Sequence, residues 1–318
     1  MKNSLRRVLL FLLAVSLLAG GAVTAAAESA PLSGPVTAEL LDDPVISYLG
    51  PEGTYTEEAA RFFFPAGDFR PKETVPDAMA DVIEGKADYA VIPQENTLGG
   101  AVTSYIDALI ADEMNVYVVG EVILPISQTL MALPGATLED IQLVCSHAQG
   151  LAQTAAWREE HLPDAATQEM ASTAAAASFV AESGDKSIAA IAAPGAAELY
   201  GLSVLAENVQ ITDTNKTRFY VLSSSRLKEE DKVQTNAVFV ATCEASRIEK
   251  IIVEMYEKGL EFVTIHDRPE GSRLGAYNYI IEVAEESGFS DELLAELDAL
   301  PEVHCLGSFN VMIKSADK

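Results

Sequence analysis

Small and hydroxyl-bearing residues stand at four points of the sequence where an apolar, strand-like run gives way to a helical pattern. The first turn of a helix offers unpaired N–H groups and a partial positive charge, which suit a bound anion. Glycine at such a point lets the backbone approach a ligand closely. Each junction alone is explained by ordinary helix capping, but four together favour a site for a small organic anion. The junctions are residues 50–56, 95–100, 145–149 and 171–173.

A fifth segment, residues 213–220, places a hydroxyl, a guanidinium and an aromatic ring in succession where an apolar strand is predicted to begin. These groups belong to Thr217, Arg218 and Phe219. The planar fork of arginine matches the two oxygens of a carboxylate, so Arg218 is a candidate for binding an acidic substrate. An arginine paired with one of the many surface carboxylates gives the same sequence, and the spacing leaves both interpretations open.

The composition limits what these segments can do. The 318 residues are 49% apolar and 22% charged, which excludes a disordered chain. Lysine and arginine number 21 against 48 aspartates and glutamates, so the net charge of −27 argues against nucleic acid as a partner. An anionic substrate must therefore be held by a local site against the overall field. Three cysteines and four histidines without zinc-ligand spacing predict no metal site.

The N-terminus has the organisation of a secretory signal peptide. Lys2, Arg6 and Arg7 precede an apolar run at 8–18, and small residues follow as far as residue 27. This pattern predicts cleavage after residues 1–27 and export to the periplasm or the cell exterior. An uncleaved membrane anchor is the alternative, because the uncharged stretch 8–27 is long enough to span a bilayer. Residues 28–44, rich in proline, predict a linker.

The elements that must position the candidate residues divide the rest of the chain in two. Strand-like runs alternate with helical patterns from 45 to 223, which predicts an α/β domain with largely parallel sheets. A polar linker at 224–234 precedes a βαββαβ pattern over 235–315, the ferredoxin-like arrangement. The predicted strands are 45–49, 88–92, 116–122, 127–132, 141–145, 188–192, 219–223, 237–242, 263–266, 277–283 and 303–314. The predicted helices are 56–64, 75–84, 102–110, 151–160, 173–181, 195–200, 248–258 and 291–299.

Several motifs, taken in order, resemble those of the prephenate dehydratase family. They are YLGPEGTYT at 48–56, PQENT at 93–97, SHAQ with LAQ at 146–153, STAAA at 172–176 and NKTRF at 215–219. The resemblance runs from about residue 45 to 223, and residues 235–315 resemble the ACT regulatory domain that follows in this family.

The resemblance implies a catalytic domain of two lobes, similar to type II periplasmic binding proteins, with the active site in the cleft. Lobe 1 would cover about 45–113 and 205–223, and lobe 2 about 114–204. The implied reaction is the cofactor-free conversion of prephenate to phenylpyruvate, water and carbon dioxide, in a homodimer or a dimer of dimers. Two alternatives stay open: an arogenate dehydratase, and a non-catalytic exported solute-binding protein for an aromatic or carboxylate ligand.

The resemblance also implies roles for individual residues. Thr217 is the candidate for donating a proton or hydrogen bond to the leaving hydroxyl, with Glu95, Asn96 and Gln149 as catalytic partners. Glu95 is a second candidate for the acid, because a carboxyl group near a dianion resists ionisation. The expected substrate-binding residues are Arg218, Phe219, Thr97, Ser146, His147, Thr54, Ser172 and Thr173. His147 is alternatively a structural residue that orients its strand–helix turn.

The sequence departs from the family in the C-terminal domain. The family's small-residue turn at the phenylalanine site is replaced here by Ser246, Arg247 and Ile248, while Arg268 and Pro269 are kept. Arg247 would crowd a pocket that needs close backbone approach, so we expect weak or absent inhibition by L-phenylalanine. In an oxidising compartment Cys243 and Cys305 form a disulfide if their strands bring them face to face; otherwise both are small apolar core residues.

Overall fold

The computed structural model describes residues 36–37, 40–111, 115–227 and 233–315. The predicted signal peptide, 1–27, lies outside the described residues, as do parts of both predicted linkers. The strands longer than two residues are β1 Val45–Leu49, β2 Asp68–Lys72, β3 Tyr89–Asn96, β4 Tyr117–Pro125, β5 Thr129–Ala132, β6 Leu143–Ser146, β7 Ala166–Glu169, β8 Ile188–Ala192, β9 Ser203–Ala206, β10 Lys216–Ser223, β11 Asn236–Glu244, β12 Glu261–Pro269, β13 Ala276–Ala284, β14 Val303–Phe309 and β15 Val311–Ile313.

The helices cover one or both faces of the sheets that these strands form. They are α1 Tyr55–Phe63, α2 Val75–Ile83, α3 Thr103–Ala111, α4 Ala148–Gln153, α5 Ala155–His161, α6 Thr173–Ser183, α7 Gly195–Leu199, α8 Ala245–Glu257 and α9 Asp291–Asp298. Among them, none combines the length and apolar character needed to cross a bilayer.

The first lobe is built on a sheet with strand order β15-β4-β10-β3-β1-β2. Side chains alternate between the two faces of a strand, and β10 shows the consequence. Phe219 and Val221 point into the core that contains α1, whereas Tyr220 and Leu222 point into the core that contains α2 and α3. The two faces of β10 therefore meet different parts of the protein.

The second lobe has the strand order β9-β5-β8-β6-β7, with α6 and α7 packed on the small alanine side chains of its core. Two segments, 126–128 and 207–215, connect the lobes. The predicted lobe boundaries are therefore wrong in two places: β4 belongs to the first lobe although it follows residue 114, and β9 belongs to the second.

Both sheets are mixed, which corrects the prediction of largely parallel sheets. β10 runs antiparallel to its neighbours β3 and β4, and β5 runs antiparallel to β8 and β9. The physical reason is the double crossing between the lobes, because a chain that leaves one sheet along β4 returns to it along β10 in the opposite direction. Strands β2, β7 and β9 were not predicted: β2 contains a proline and is largely exposed, and β7 is exposed along its whole length.

The C-terminal module has the element order βαββαβ and the antiparallel strand order β12-β13-β11-β14 of a ferredoxin-like arrangement. One face of its sheet packs against α8 and α9. The other face contributes Val238, Val240, Ile280, Leu306 and Phe309 to the core that contains α2 and α3. The module thus lies face-on against the first lobe and shares a core with it.

The end of the chain binds the module to the first lobe more closely than predicted. The single strand predicted over 303–314 divides at Asn310, and β15 runs parallel to β4 in the sheet of the first lobe. Gly307 has φ +132°, and a Cβ on it would lie 2.5 Å from the carbonyl oxygen of Val118. Glycine is therefore required where β14 passes over β4.

The structure excludes the suggested disulfide. Cys305 pairs with Phe239 on β11, whereas Cys243, four residues further along that strand, lies opposite Tyr277. Strand residues advance by about 3.3 Å each, so this register holds the two cysteines far beyond bonding distance. All three cysteines are free and buried.

Candidate active site

Asn96 and Thr217 are direct cross-strand partners at the cleft end of the first lobe. The Nδ2 of Asn96 donates to Thr217 Oγ1 at 2.9 Å and to Asn215 Oδ1 at 2.8 Å. Its Oδ1 accepts from the backbone N–H groups of Leu98 and Gly99 at 3.0 and 2.9 Å. These partners fix the orientation of the amide, so that an N–H and not a carbonyl oxygen faces the threonine.

Gln149 reaches the same amide from the second lobe. It lies in the first turn of α4, and its Nε2 donates to Asn96 Oδ1 at 3.1 Å across the cleft. A Cβ on Gly99 would stand 2.8 Å from that nitrogen, so the glycine leaves room for the contact. His147 is the N-cap of α4, and its Nδ1 accepts from the Gln149 backbone N–H at 3.3 Å.

Three further amides continue this chain of hydrogen bonds into the protein. Asn215 Nδ2 and Gln128 Nε2 both donate to Gln153 Oε1 at 3.2 Å. All three side chains are buried. Together with Asn96 and Gln149 they form what we call the amide network, which joins both lobes and both connecting segments.

The inner residues of this network, Asn215, Gln153 and Gln128, were not among the predicted site residues. Asn215 and Gln153 lie inside quoted motifs, and Gln128 stands in a segment between two strands. The available signal was the clustering of amide side chains next to the motif residues, since buried amides need partners and pair readily with one another.

The Thr217 hydroxyl is arranged to donate a hydrogen bond. Its oxygen accepts from Asn96, and no acceptor for its own hydrogen stands among the residues that the structure describes. An N–H directed at the oxygen also stabilises negative charge that develops there. The residue is 8% exposed, so the hydroxyl acts in a largely desolvated position.

Arg218 lies on the opposite face of the sheet. Its Nε and Nη2 donate to Glu121 on β4, and Nη2 also donates to Glu282 Oε1 on β13 at 2.7 Å. The prediction that this guanidinium binds a substrate carboxylate is therefore wrong, because two buried protein carboxylates already occupy it. Alternation along the strand is the reason: Thr217 faces the cleft, so Arg218 faces the C-terminal module.

Glu95 is on that same face and not beside Thr217. The register between β10 and β3 shifts between Arg218 and Phe219, which makes Gln94 the extra residue of a β-bulge. Gln94 then bonds to Tyr220, and a Glu95 oxygen lies 3.9 Å from Arg218 Nη1. This placement removes Glu95 from the predicted group of catalytic partners.

The remaining predicted substrate-binding residues are buried in a core, form hydrogen bonds within the protein or stand at the start of a helix. Phe219 is buried in the core of the first lobe, so its predicted contact with substrate is wrong. Ser146 is fully buried and donates to the Ile191 carbonyl oxygen at 2.7 Å. The Thr97 hydroxyl accepts from Lys216 N–H at 2.8 Å. Thr54 and Ser172 are the N-caps of α1 and α6, and Thr173 is the first residue of α6.

A cavity of about 1360 Å³ lies between the lobes. It is lined by the start of α1, including Thr54, by the start of α7 and by residues of both connecting segments. Thr217, Asn96 and Gln149 are not part of its lining. Five acidic side chains face it against only two cations, so it is poorly suited to a dianion. Within the described ranges, no three His, Cys, Asp or Glu side chains come together as metal ligands.

The buried charges behind Thr217 have perturbed titration. Burial and the negative charge of Glu282 raise the pKa of Glu121 to about 7, against the opposing effect of Arg218. Burial likewise raises the pKa of Tyr220 well above its ordinary value and lowers the pKa of His266, which faces this region from β12. A carboxyl group buried beside the negative charge of another carboxylate resists ionisation, which is the case of Glu121 here.

Known proteins resemble this chain over most of its length. A family model described as prephenate dehydratase matches residues 46–226. Prephenate dehydratase of Lactococcus lactis subsp. cremoris is 33% identical over 84% of this chain and 97% of its own length. Arogenate dehydratase 5 of Arabidopsis thaliana is 34% identical over 70% of this chain, which spans 53% of that protein. The prephenate dehydratase of Arthrobacter aurescens solved with L-Phe is 32% identical, with a TM-score of 0.74 over 83% of this chain and 89% of that one.

We predict that Glu121→Gln removes a pH-dependent loss of stability. The pKa of Glu121 is about 7 in the folded chain, against 4.5 for a glutamate free of this burial and these neighbours, as in the unfolded chain. Between these two pKa values the unfolded state has released a proton that the folded state still holds, which favours unfolding. The contribution of Glu121 to stability is therefore complete below the unfolded-state pKa and is lost as the pH rises through the folded-state pKa. Relative to the wild type, Glu121→Gln should gain on the order of 5–10 °C in Tm between about pH 5 and 8.

Thermal unfolding at a series of pH values measures this difference, with exposed Glu261→Gln as the matched control. A Tm difference between Glu121→Gln and wild type that stays constant over the whole pH range would contradict the prediction.

Proposed function

The chain belongs to the prephenate dehydratase family, and we propose that it converts prephenate to phenylpyruvate at the amide network around Thr217. The observation that carries this assignment is the hydrogen bond from Asn96 to Thr217, because it leaves a buried hydroxyl with a hydrogen to donate.

The reaction needs little covalent help from the protein. The bond between the ring and its carboxylate breaks, and carbon dioxide leaves. The electron pair moves through the ring, and the bond from carbon to the ring hydroxyl breaks in turn. That hydroxyl departs as water once it has received a proton, and the ring becomes aromatic. The protein must orient the dianion and assist the leaving group.

Thr217 serves the leaving group in this proposal. Its hydroxyl donates to the departing oxygen, while the Asn96 N–H supports the negative charge that grows on Thr217 Oγ1. The geometry supports Thr217 over Glu95 as the donor, since Glu95 lies on the face of the sheet that meets Arg218.

Helix N-termini supply the positive potential for the substrate carboxylates, since Arg218 is occupied elsewhere. The starts of α4 and α6 are neighbours: a Cβ on Gly150 would lie 3.5 Å from Thr173 Cγ2. His147, Ser172 and Thr173 frame these two helix starts. Because Gln149 belongs to α4, an anion bound there lies beside the amide network.

Arogenate, the aminated analogue, has the same ring chemistry and remains the alternative substrate. The relatives named for the two substrates are 33% and 34% identical to this chain, so overall identity does not separate them. A solute-binding role is less well supported, because binding alone does not need a buried hydroxyl poised to donate.

We predict that the Thr217 hydroxyl carries most of the rate enhancement. Thr217→Val keeps the shape but removes the donor, and we expect kcat to fall about 10²–10⁴-fold. Thr217→Ser keeps the hydroxyl and should stay within about tenfold of wild type. Phenylpyruvate appearance from prephenate measures the rate, and the same assay with arogenate decides the substrate.

Equal rates for the valine and serine variants would contradict a role for the hydroxyl. No product from either substrate with the wild-type chain would leave the solute-binding role standing.

We also propose that the C-terminal module is an ACT domain with a weakened response to L-phenylalanine. Arg247 lies at the start of α8 and pairs with Glu302 at 3.3 Å. Ile248 packs on the module's core and Ser246 is exposed. Arg268 donates to Asp107 on α3 and Pro269 ends β12.

The module also exposes apolar side chains on β12 and α8, which suit the pairing of two chains in a homodimer or a dimer of dimers. They are Val263, Ile265, Val253 and Tyr256.

We predict that Arg247→Ala strengthens the response to L-phenylalanine, since it removes the side chain that crowds the turn. Isothermal titration calorimetry should give weak binding to the wild type and a Kd about tenfold lower for the variant, a difference of roughly 1.4 kcal/mol. Arg273→Ala, which breaks another exposed ion pair of the module, is the matched control. Tight binding to the wild type would rule out the proposed weakening.

We further propose that the chain is exported, because residues 1–27 contain the charged, apolar and small-residue regions of a signal peptide. Expressed in a bacterial host with its own leader, the chain should be found outside the cytoplasm with Glu28 as its first residue. N-terminal sequencing measures this, with a chain lacking residues 2–27 as the control. A chain that stays in the membrane with its leader intact would instead indicate an anchor.

A further inference from the structure

A buried polar cluster joins the C-terminal module to the strand that carries Thr217. At its centre is Glu282 on β13, whose side chain is fully buried. Its carboxylate accepts from Arg218 Nη2 at 2.7 Å, from the Tyr220 hydroxyl at 2.8 Å and from Asn236 Nδ2 at 3.0 Å. Gln94 Nε2 stands 3.4 Å from it and also donates to the Tyr220 hydroxyl at 2.7 Å. We call these residues, with Glu121, the interdomain cluster.

The interdomain cluster buries charged groups between the two domains, which costs free energy. Glu121 and Glu282 are both fully buried, and they share one guanidinium. Glu95, 3.9 Å from that guanidinium, is partly exposed. Burial of a second carboxylate costs free energy that apolar packing would not, and an apolar core shared by the two domains already exists beside the cluster. Stability alone therefore does not account for Glu282.

Position is what the interdomain cluster controls. Arg218 directly follows Thr217 on β10. A displacement of the carboxylates that hold the Arg218 side chain therefore moves the backbone that carries the threonine. The cluster holds β10 from the module side through Arg218 and Tyr220, two alternate residues of the strand. On the cleft side, the Thr217 hydroxyl must meet both Asn96 and the leaving group. A misplacement of about 1 Å at a reacting group reduces rates by about 10²-fold.

We propose that Glu282 of the C-terminal module is a positioning residue for the dehydration, acting through Arg218 to set where Thr217 stands relative to Asn96. This inference rests on the proposed function of Thr217. It makes the module part of the working catalytic unit even without a bound effector, since the carboxylate that completes the support of β10 comes from the module.

Glu282→Gln separates positioning from simple stability. At about pH 8, above the pKa of Glu121, it removes one of the two buried charges and leaves Arg218 paired one-to-one with Glu121, so the variant should fold with a Tm at least equal to that of wild type. Glutamine keeps the shape of the side chain but replaces a charge-assisted hydrogen bond to Arg218 by a weaker neutral one. The link to β10 is thus loosened without a cavity.

Two measurements on the full chain test the proposal. Steady-state kinetics with prephenate should show kcat about tenfold lower in Glu282→Gln with KM unchanged, because the orientation of the hydroxyl and not substrate binding is affected. Hydrogen–deuterium exchange followed by mass spectrometry should show faster exchange for peptides covering 94–97 and 214–219, and unchanged exchange for β8 in the second lobe. Glu261→Gln, an exposed carboxylate on neighbouring β12, should leave both measurements at wild-type values.

The outcomes of the two measurements separate the positioning role of Glu282 from the reaction proposed at Thr217. Unchanged kcat and unchanged exchange at 214–219 in Glu282→Gln overturn the positioning role, and so does a loss of activity that comes with a lower Tm and faster exchange throughout the chain. If the wild-type chain converts neither prephenate nor arogenate, the proposed function fails while the exchange at 214–219 still decides whether Glu282 positions β10.

Discussion

The amide of Asn96 is the interaction on which the site depends. Its oxygen accepts from two backbone N–H groups and from Gln149 of the other lobe, so both of its N–H bonds are committed to Thr217 and Asn215. A flipped amide would present an oxygen to Thr217, and the threonine would then have to donate inward. The turn at 96–99 therefore determines the direction in which a hydroxyl on a different strand can give its hydrogen.

The second constraint is the two-sided character of β10. Its odd-numbered residues from Thr217 face the cleft and the α1 core, and its even-numbered residues face the C-terminal module. One strand thus carries the donor on one side and the contact with the other domain on the opposite side. A strand is stiff along its length, so a displacement of Arg218 and Tyr220 also displaces Thr217. The β-bulge at Gln94 adds to the arrangement by turning two successive residues of β3 towards the module.

The acidic character of the chain shapes how it can hold a dianion. The largely buried guanidinium of Arg218 is paired with Glu121 and Glu282, and cations at the large cavity between the lobes pair with glutamates of α1. The positive potential left on the cleft side comes from backbone N–H groups at the starts of helices. Such groups cannot be titrated away, and they lie in fixed directions, which suits a site whose task is orientation.

The sequence by itself determined the order of the motifs, the N-caps Thr54 and Ser172, and the βαββαβ pattern of the last third, because these depend on local spacing and capping chemistry. It also selected Asn96, Gln149 and Thr217, and the tertiary structure brings Gln149 and Thr217 each within hydrogen-bonding distance of Asn96. It did not determine which face of the sheet Arg218, Glu95 and Phe219 occupy. Alternation fixes that neighbours point to opposite sides, but only the pairing register and the covering domain decide which side is the cleft. For the same reason the lobe boundary at β4, the departure of β15 from its module and the separation of Cys243 from Cys305 were decided by non-local strand pairing, on which local sequence carries no information.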